Sequence, residues 1–437
     1  MTSFKIRNQQ VGIPFIQPGN VPTRHIHLNK QKETKYVNEN CTIDSSYGMY
    51  IFDAVCNPTE VFLKDGVDGD YITLTLSQLD CLSVVVNTSR GSFVLAYPIV
   101  NRQLIYYNKR WNIIGDTKDV YSFYPSTLKY KLCSNATKCI LSGDGNTKLV
   151  VNQDSIISIY YNGSGVYNLF TANREFKYAN VCIMNSWATV IGLSIRSADG
   201  TTAFLIYEKS KTDETWEMKY RLDEECIDAC ISSDGKTIAL SKHGCISVYK
   251  YNDQSSNWDA LTQLNEDSDK SFGNKVAISG NGMYVFTISD SNTFISYNIQ
   301  ENDNTKHIHN IPGISRCSLI STDYSGKTVV ICSSNGKIWI TSLKDCLEGT
   351  KQAYNNITVD KNISSISLSS CGNTLIIGVC EVNTVLIYTH TFNGWDLRTK
   401  LTGEQNSYLG FSCSISSSGD SAIVSSIGPD GGAWILH

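Results

Sequence analysis

An all-β fold, a single β-propeller of four-stranded antiparallel blades, is predicted by three features of this 437-residue sequence. Charged residues make up only 18%, and Gly (31), Tyr (24), Ser, Thr and Asn punctuate short apolar runs, the texture of many strands joined by tight turns. No stretch of about 12 residues sustains a three-and-four apolar spacing, which argues against long amphipathic helices. One phrase also recurs along the chain: an alternating strand, a tight turn carrying Gly, and a second apolar strand.

The clearest copies of the phrase are CILSGDGNTKLVV from Cys139, DACISSDGKTIAL from Asp228 and VAISGNGMYVFTI from Val276. LISTDYSGKTVVI from Leu319, ISLSSCGNTLIIGV from Ile366 and CSISSSGDSAIVSSI from Cys413 continue the series. Weaker copies are CTIDSSYGMYIF from Cys41, LSVVVNTSRGSFVLAY from Leu82 and VCIMNSWATVIGL from Val181, the last without its Gly. Repeat starts near 41, 82, 138, 181, 229, 276, 317, 365 and 413 give a period of about 41 to 55 residues, close to that of a four-stranded blade. Nine blades is the literal count, with eight as the alternative. Gly145, Gly235, Gly282, Gly326, Gly372 and Gly419 stand where the turn needs φ > 0.

A second phrase comes after most copies: LIYYNKRW (104–111), FLIYEKSKTDETW (204–216), ISVYKYNDQSSNW (246–258) and VLIYTHTFNGW (385–395). It reads as a third strand and then a fourth announced by Trp, so Trp111, Trp216, Trp258 and Trp395 occupy one repeated position and are read as packing anchors between blades. The final copy has only three strands, GAWILH being the third. Its fourth must come from elsewhere, and TRHIHLNK (23–30) is expected to add there and close the ring. Residues 112–136 are expected to form a long loop or an extra outer strand. The domain organisation read from the sequence is therefore an N-terminal arm, 1–22, and a propeller, 23–437.

SFGNKVAISGNGMYVFTIS (271–289) and YLGFSCSISSSGDSAIVSSIGPDGGAWILH (408–437) resemble FG-GAP-type propeller repeats. The Phe272-Gly273 pair, the Ser-x-x-Gly turn and the Gly-Gly-Ala-Trp third strand carry the likeness, which is best over 228–437. Trp-Asp repeat proteins share the blade, but their Gly-His and Trp-Asp signatures do not recur here. Calcium-binding FG-GAP blades carry an Asp-x-Asp-x-Asp-Gly loop. Here the turns supply at most one carboxylate, and DGVDGD (65–70) and EDSD (266–269) have the wrong spacing for a calcium loop.

The net charge of -4 and a pI near 6.0 leave nucleic acid and anionic membranes without their usual electrostatic footprint. No apolar run reaches the roughly 18 to 20 residues of a membrane span, and the first residues have no apolar core of leader length. The 15 cysteines are scattered singly, several inside strand patterns, and Cys226 and Cys230 lack partners at zinc spacing. Both observations point to an intracellular, cytoplasmic location, or to a virion if the source is viral. Two His-x-His pairs, His25/His27 and His307/His309, each put two rings on one face of a strand, but no third ligand lies nearby. Solvent-facing outer strands are the simpler reading.

No nucleophile elbow, metalloprotease helix, phosphate loop or dinucleotide fingerprint is present. No catalytic, cofactor or metal site is assigned, and no enzyme activity is expected. The function expected is a protein–protein interaction platform or a structural component of a larger assembly, with the N-terminal arm a candidate contact. A carbohydrate- or receptor-binding propeller is the alternative, and a channel-sited hydrolase or lyase the second.

Overall fold

The structure is a computed structural model. It describes residues 34–37, 41–47, 49–52, 60–67, 70–76, 83–88, 91–96, 101–107, 110–114, 130–161, 164–171, 176–210, 215–266, 272–289, 293–300, 305–310, 317–343, 355–359, 361–391 and 394–436. The chain divides into two compact units, Met1–Phe123 and Tyr124–His437. The proposed arm, 1–22, and the stretch 23–30 with His25 and His27 lie outside the described residues.

The second unit is a propeller of seven blades, not nine or eight. Blades 1 to 6 span 136–171, 176–222, 228–265, 276–310, 317–358 and 365–402, each a four-stranded antiparallel sheet in simple strand order. Blade 7 is built from Cys413–Ile415, Ala422–Ser426 and Gly432–Leu436, completed on its outer side by Tyr130–Ser134. The missing fourth strand is thus taken not from 23–30, as expected, but from residues that sequence spacing marked as a long loop or extra outer strand, because Tyr130–Ser134 pairs with Gly432–Leu436. Lys131 fixes it twice, its Nζ donating to the Asp430 carbonyl at 2.7 Å and lying 5.5 Å from the Trp434 ring centroid.

The two copies near 41 and 82 belong to the first unit and are not blades. There Thr34–Val37, Met49–Phe52 and Tyr71–Leu76 lie parallel in one sheet, extended by Asn101–Tyr107 and Arg110–Ile114. Cys41–Ile43, Glu60–Leu63 and Ser83–Thr88 lie parallel in another, extended by Gly91–Ala96. Successive strands alternate between the two sheets, so the two strands of the phrase at Cys41 do not pair with each other. The phrase specifies strand, turn and strand, which both architectures use; the residues beyond its second strand decide the partner. Among the described residues of this unit, Ile43, Tyr50, Val61, Leu63, Ile72, Leu74 and Val86 are the buried apolar side chains.

Each blade opens with one turn, repeated seven times. A polar residue at position i (Ser142, Asn185, Ser232, Ser279, Asp323, Ser369, Ser416) pairs its backbone with that of residue i+5, and its carbonyl takes the N–H of i+3. Its side chain accepts the N–H of i+5, as from Thr147, Val190, Thr237, Tyr284, Thr374 and Ser421 at 2.8–3.2 Å. Position i+3 lies at φ of 69° to 79° in the six Gly cases and at 52° for Ala188. This left-handed geometry costs a side chain about 1–2 kcal/mol, which explains Gly at six of seven positions.

The turns also bond to one another. Gly143 N donates to Ser186 O at 2.7 Å, Asn185 Nδ2 to Ser233 O at 3.2 Å, and Ser233 N to Gly280 O at 2.8 Å. Asn281 N donates to Tyr324 O at 2.9 Å, Tyr324 N to Ser370 O at 3.0 Å, Cys371 N to Ser417 O at 3.2 Å, and Ser417 N to Gly143 O at 2.9 Å. Every blade therefore donates to its successor, and blade 7 donates to blade 1. The approach is close: a Cβ on Gly143 would fall 2.4 Å from Ser417 Oγ. Deeper along the inner strands, Ser412 and Ser414 hydroxyls take the N–H groups of Cys139 and Leu141, and Ser321 and Ser367 serve Leu368 and Ile415. An inner edge facing an axis has no further strand to pair with, so these hydroxyls satisfy it.

Between blades the cores are apolar. Trp216, at the start of its outer strand, packs into the cluster of blades 1 and 2 and donates through Nε1 to Tyr161 Oη at 2.7 Å. Trp258 packs likewise between blades 2 and 3, edge-on to Tyr251 but with its Nε1 buried and unpartnered, and Trp395 lies against the cluster of blades 5 and 6. These tryptophans are the between-blade anchors that their spacing predicts. Trp111 lies instead on Arg110–Ile114 of the first unit.

Asp323 is the single carboxylate among the seven turn caps, and burial pushes its pKa up from 3.8 to about 6. An acid whose pKa rises on folding stabilises most below its unfolded value, and that contribution is lost as pH climbs through about 6. Asp323→Asn keeps an acceptor, as Asn185 does in blade 2. It is expected to raise stability at pH 8 by about 1–3 kcal/mol and to flatten the stability profile between pH 4 and 7. Urea unfolding of both proteins at several pH values checks this, and an unchanged slope would refute it. Replacing Tyr130–Ser134 in the full chain by Gly/Ser residues of equal number should lower the melting temperature by about 5 °C or more; no change would mean that blade 7 stands without its outer strand.

Candidate interaction surface

In an antiparallel blade the connection between strands 2 and 3 and the connection onward to the next blade lie at the same end, opposite the seven bonded turns. Between blades 6 and 7 these two connections, 380–383 and 403–412, are locked together. Gly403 N donates to Asn383 O at 2.7 Å, Tyr408 N to Asn383 Oδ1 at 2.7 Å, and Gly428 N to Ser407 O at 3.0 Å. Gly410 N and Phe411 N both donate to Ser425 O, while Ser364 and Ser365 hydroxyls donate to Gly410 O at 2.7 and 3.0 Å.

Leu409 is fully buried as the anchor, and Gly410, at φ 90°, is wedged so tightly that a Cβ would meet the Thr384 carbonyl at 2.8 Å. Phe272-Gly273 is the same device between blades 3 and 4: Phe272 is fully buried, its carbonyl accepts Gly244 N, and Gly273 at φ 82° lies under Lys242. The Phe-Gly likeness noted in the sequence thus has a packing reason here.

Anchoring this tight holds the loop in an unfavourable backbone. Seven non-Gly described residues have positive φ, and three of them are here: Asn383 at 52°, Asn406 at 63° and Tyr408 at 51°. Asn adopts this region readily; Tyr does not. The conformation turns apolar groups outward: Tyr408 is 45% exposed, Phe411 39% and Val382 38%. Glu381, Glu404 and Asp430 are exposed around them. Strain of this kind persists only where surrounding bonds over-determine it. The sequence offered a signal in Tyr408-Leu-Gly-Phe411, two aromatics flanking an anchor, but periodicity says nothing about a loop.

The histidine pair behaves otherwise. His307 and His309 share one face of Thr305–Asn310, with ring centroids 6.3 Å apart. His309 stacks on Phe294 at 4.4 Å, and its Nε2 lies 2.8 Å from Ser296 Oγ. Burial, with the charge of His307 second, lowers its pKa from 6.5 to about 4, so the ring is neutral at ordinary pH. It is a packed side chain with its partner already in place. Among the described residues no group of three metal-capable side chains occurs. The expected exposure of both rings fails for His309, because Phe294 across the strand pair provides an apolar face to cover it.

Other carboxylates serve the frame. Glu224 accepts Ser247 Oγ at 3.0 Å and the Tyr249 hydroxyl, which raises the tyrosine pKa after burial has already done so. Asp228 accepts Val276 N across blades at 3.1 Å. The described cysteines are all unbonded, and burial raises the thiol pKa of Cys139, Cys182, Cys230, Cys332 and Cys413, as expected of small apolar core residues.

No family model matches the chain, so the FG-GAP resemblance gains no support from one, and no curated protein matches it. Among solved structures, the β-propeller domain of Cps50 (Swd1) from Myceliophteria thermophila is similar, with a TM-score of 0.54 and 9% sequence identity. The match covers 71% of this chain and 99% of that domain, a share that corresponds in size to the seven-bladed unit. At this identity the likeness concerns the fold alone: the chain carries a β-propeller.

Proposed function

We propose that this chain is a non-catalytic protein–protein interaction platform or structural component of an assembly, and that it engages its partner through the surface of Val382, Tyr408 and Phe411. The observation that carries this reading is Tyr408, a bulky side chain held in the left-handed region and exposed to solvent by a loop bonded from three sides. A loop under only packing constraints would relax, or carry Gly there; a docking surface uses the fixed geometry. The similarity to a Trp-Asp-like propeller agrees with a platform role. The unbonded cysteines suit a reducing compartment, the cytoplasm or a particle assembled in it.

Cross-linking mass spectrometry on the full chain in native extract should give links between residues near 380–383 or 403–412 and one abundant partner. Tyr408→Ser with Phe411→Ser should abolish that partner's recovery while leaving the melting curve intact. A partner retained by this variant would sink the assignment of the surface. The strain itself is separately measurable. Tyr408→Gly should keep or raise stability, by up to about 1 kcal/mol, while weakening partner recovery. A stability loss would mean that Tyr408 serves the fold.

A further inference from the structure

Building on that docking surface, we propose that its occupant is a basic segment of the partner protein, with Arg or Lys side chains crossing Tyr408 and Phe411 and their charges met by Glu381, Glu404 and Asp430. The three carboxylates come from three connections at this end of the propeller that hydrogen bonds tie to one another. Glu381 precedes Val382 in the turn whose last residue, Asn383, accepts Tyr408 N. Glu404 opens the loop, and its carbonyl takes Ser407 N at 3.1 Å. Asp430 lies two residues beyond Gly428, whose N–H donates to Ser407 O.

All three side chains are exposed, and none takes part in an ion pair among the described residues. Some carboxylates elsewhere on the propeller are matched, as Glu217 with Lys219, Asp223 with Arg221, Asp253 with Lys236, and Glu266 with Lys306, while Asp154 and Glu225 are exposed without an ion pair among the described residues. What sets Glu381, Glu404 and Asp430 apart is the exposed Tyr408 and Phe411 in the same set of bonded connections. Lys131 reaches Asp430, but its Nζ is bound to the Asp430 backbone carbonyl and lies over Trp434.

Unmatched carboxylates next to exposed aromatic rings are complementary to one kind of side chain. A guanidinium can stack on a ring face and donate in its own plane to a carboxylate, and an ammonium can do each singly. An acidic segment would meet three like charges, and a purely apolar one would leave them without a partner.

The full chain, titrated by fluorescence anisotropy against a fluorescein-labelled peptide of alternating Arg and Gly, should bind it and should ignore Glu/Gly and Ser/Gly peptides of the same length. Neutralising the rim (Glu381→Gln, Glu404→Gln, Asp430→Asn) should weaken the Arg peptide about tenfold, and Tyr408→Ser with Phe411→Ser by a similar factor. A triple substitution at the opposite end of blades 2 and 3, Glu217→Gln, Asp253→Asn and Asp259→Asn, should leave binding unchanged. Equal weakening by the distant triple would reduce the binding to generic attraction by an acidic protein and overturn the proposal, as would equal binding of the Glu/Gly peptide. Native-extract recovery separates the two levels. If the aromatic variant loses the native partner and the rim variant keeps it, the docking surface stands and its basic occupant falls. If neither loses it, the docking surface falls as well.

Discussion

Everything in the propeller depends on how the inner edge of each blade is satisfied. An innermost strand has a neighbour on one side only, and its free N–H and C=O groups point toward the axis with no further strand to pair them. The chain answers with backbone and hydroxyl groups. Seven turn-to-turn bonds run from each blade to the next, from Gly143 through Ser233 and Tyr324 to Ser417 and back to Gly143. Serines on inner strands fill the remaining positions. This explains why small polar residues dominate these turns: a large side chain would hold the backbones apart.

The same requirement bears on the other end of each blade. With the inner turns fixed, the connections between blades must travel from the outer strand back to the axis, and buried anchors such as Phe272 and Leu409 pin them. Between blades 6 and 7 the anchoring also tolerates a strained Tyr408 and holds aromatic groups in water. Stability and the proposed recognition are thus separated in space. Hydrogen-bonded turns at one end carry the fold, and a locked loop at the other carries the surface assigned to binding.

Much of the architecture was legible because it repeats. The starts near 138, 181, 229, 276, 317, 365 and 413 are the seven blades, and the three-stranded last copy correctly implied a strand from elsewhere. Even the Gly-less copy at Val181 is a true blade, since Ala188 takes up the left-handed position. The copies at 41 and 82 misled because the partners beyond the phrase are not local: the hairpin from Ser83 pairs onward with Glu60–Leu63, in parallel. The phrase at Cys41 places its strands in two different sheets, and no residue type within it reports that. The site was far less legible. Tyr408 and Phe411 belong to a non-repeating loop, and their significance comes from a backbone angle and from bonds to Asn383 and Ser425 that no spacing encodes.

The outer strand of blade 7 brings time into the picture. Lys131 and Asp430, its bonded partner, are separated by 299 positions in the chain. At a synthesis rate of about 5–20 residues per second, Tyr130–Ser134 would emerge roughly 15 to 60 seconds before Gly432–Leu436 exists to receive it. During that interval it is an unclaimed β-edge and the six earlier blades are an open stack. The last step of folding is then a long-range capture, slow by its sequence separation. The lysine that later lies over Trp434 is, in the meantime, a charge that discourages the waiting strand from pairing with another chain.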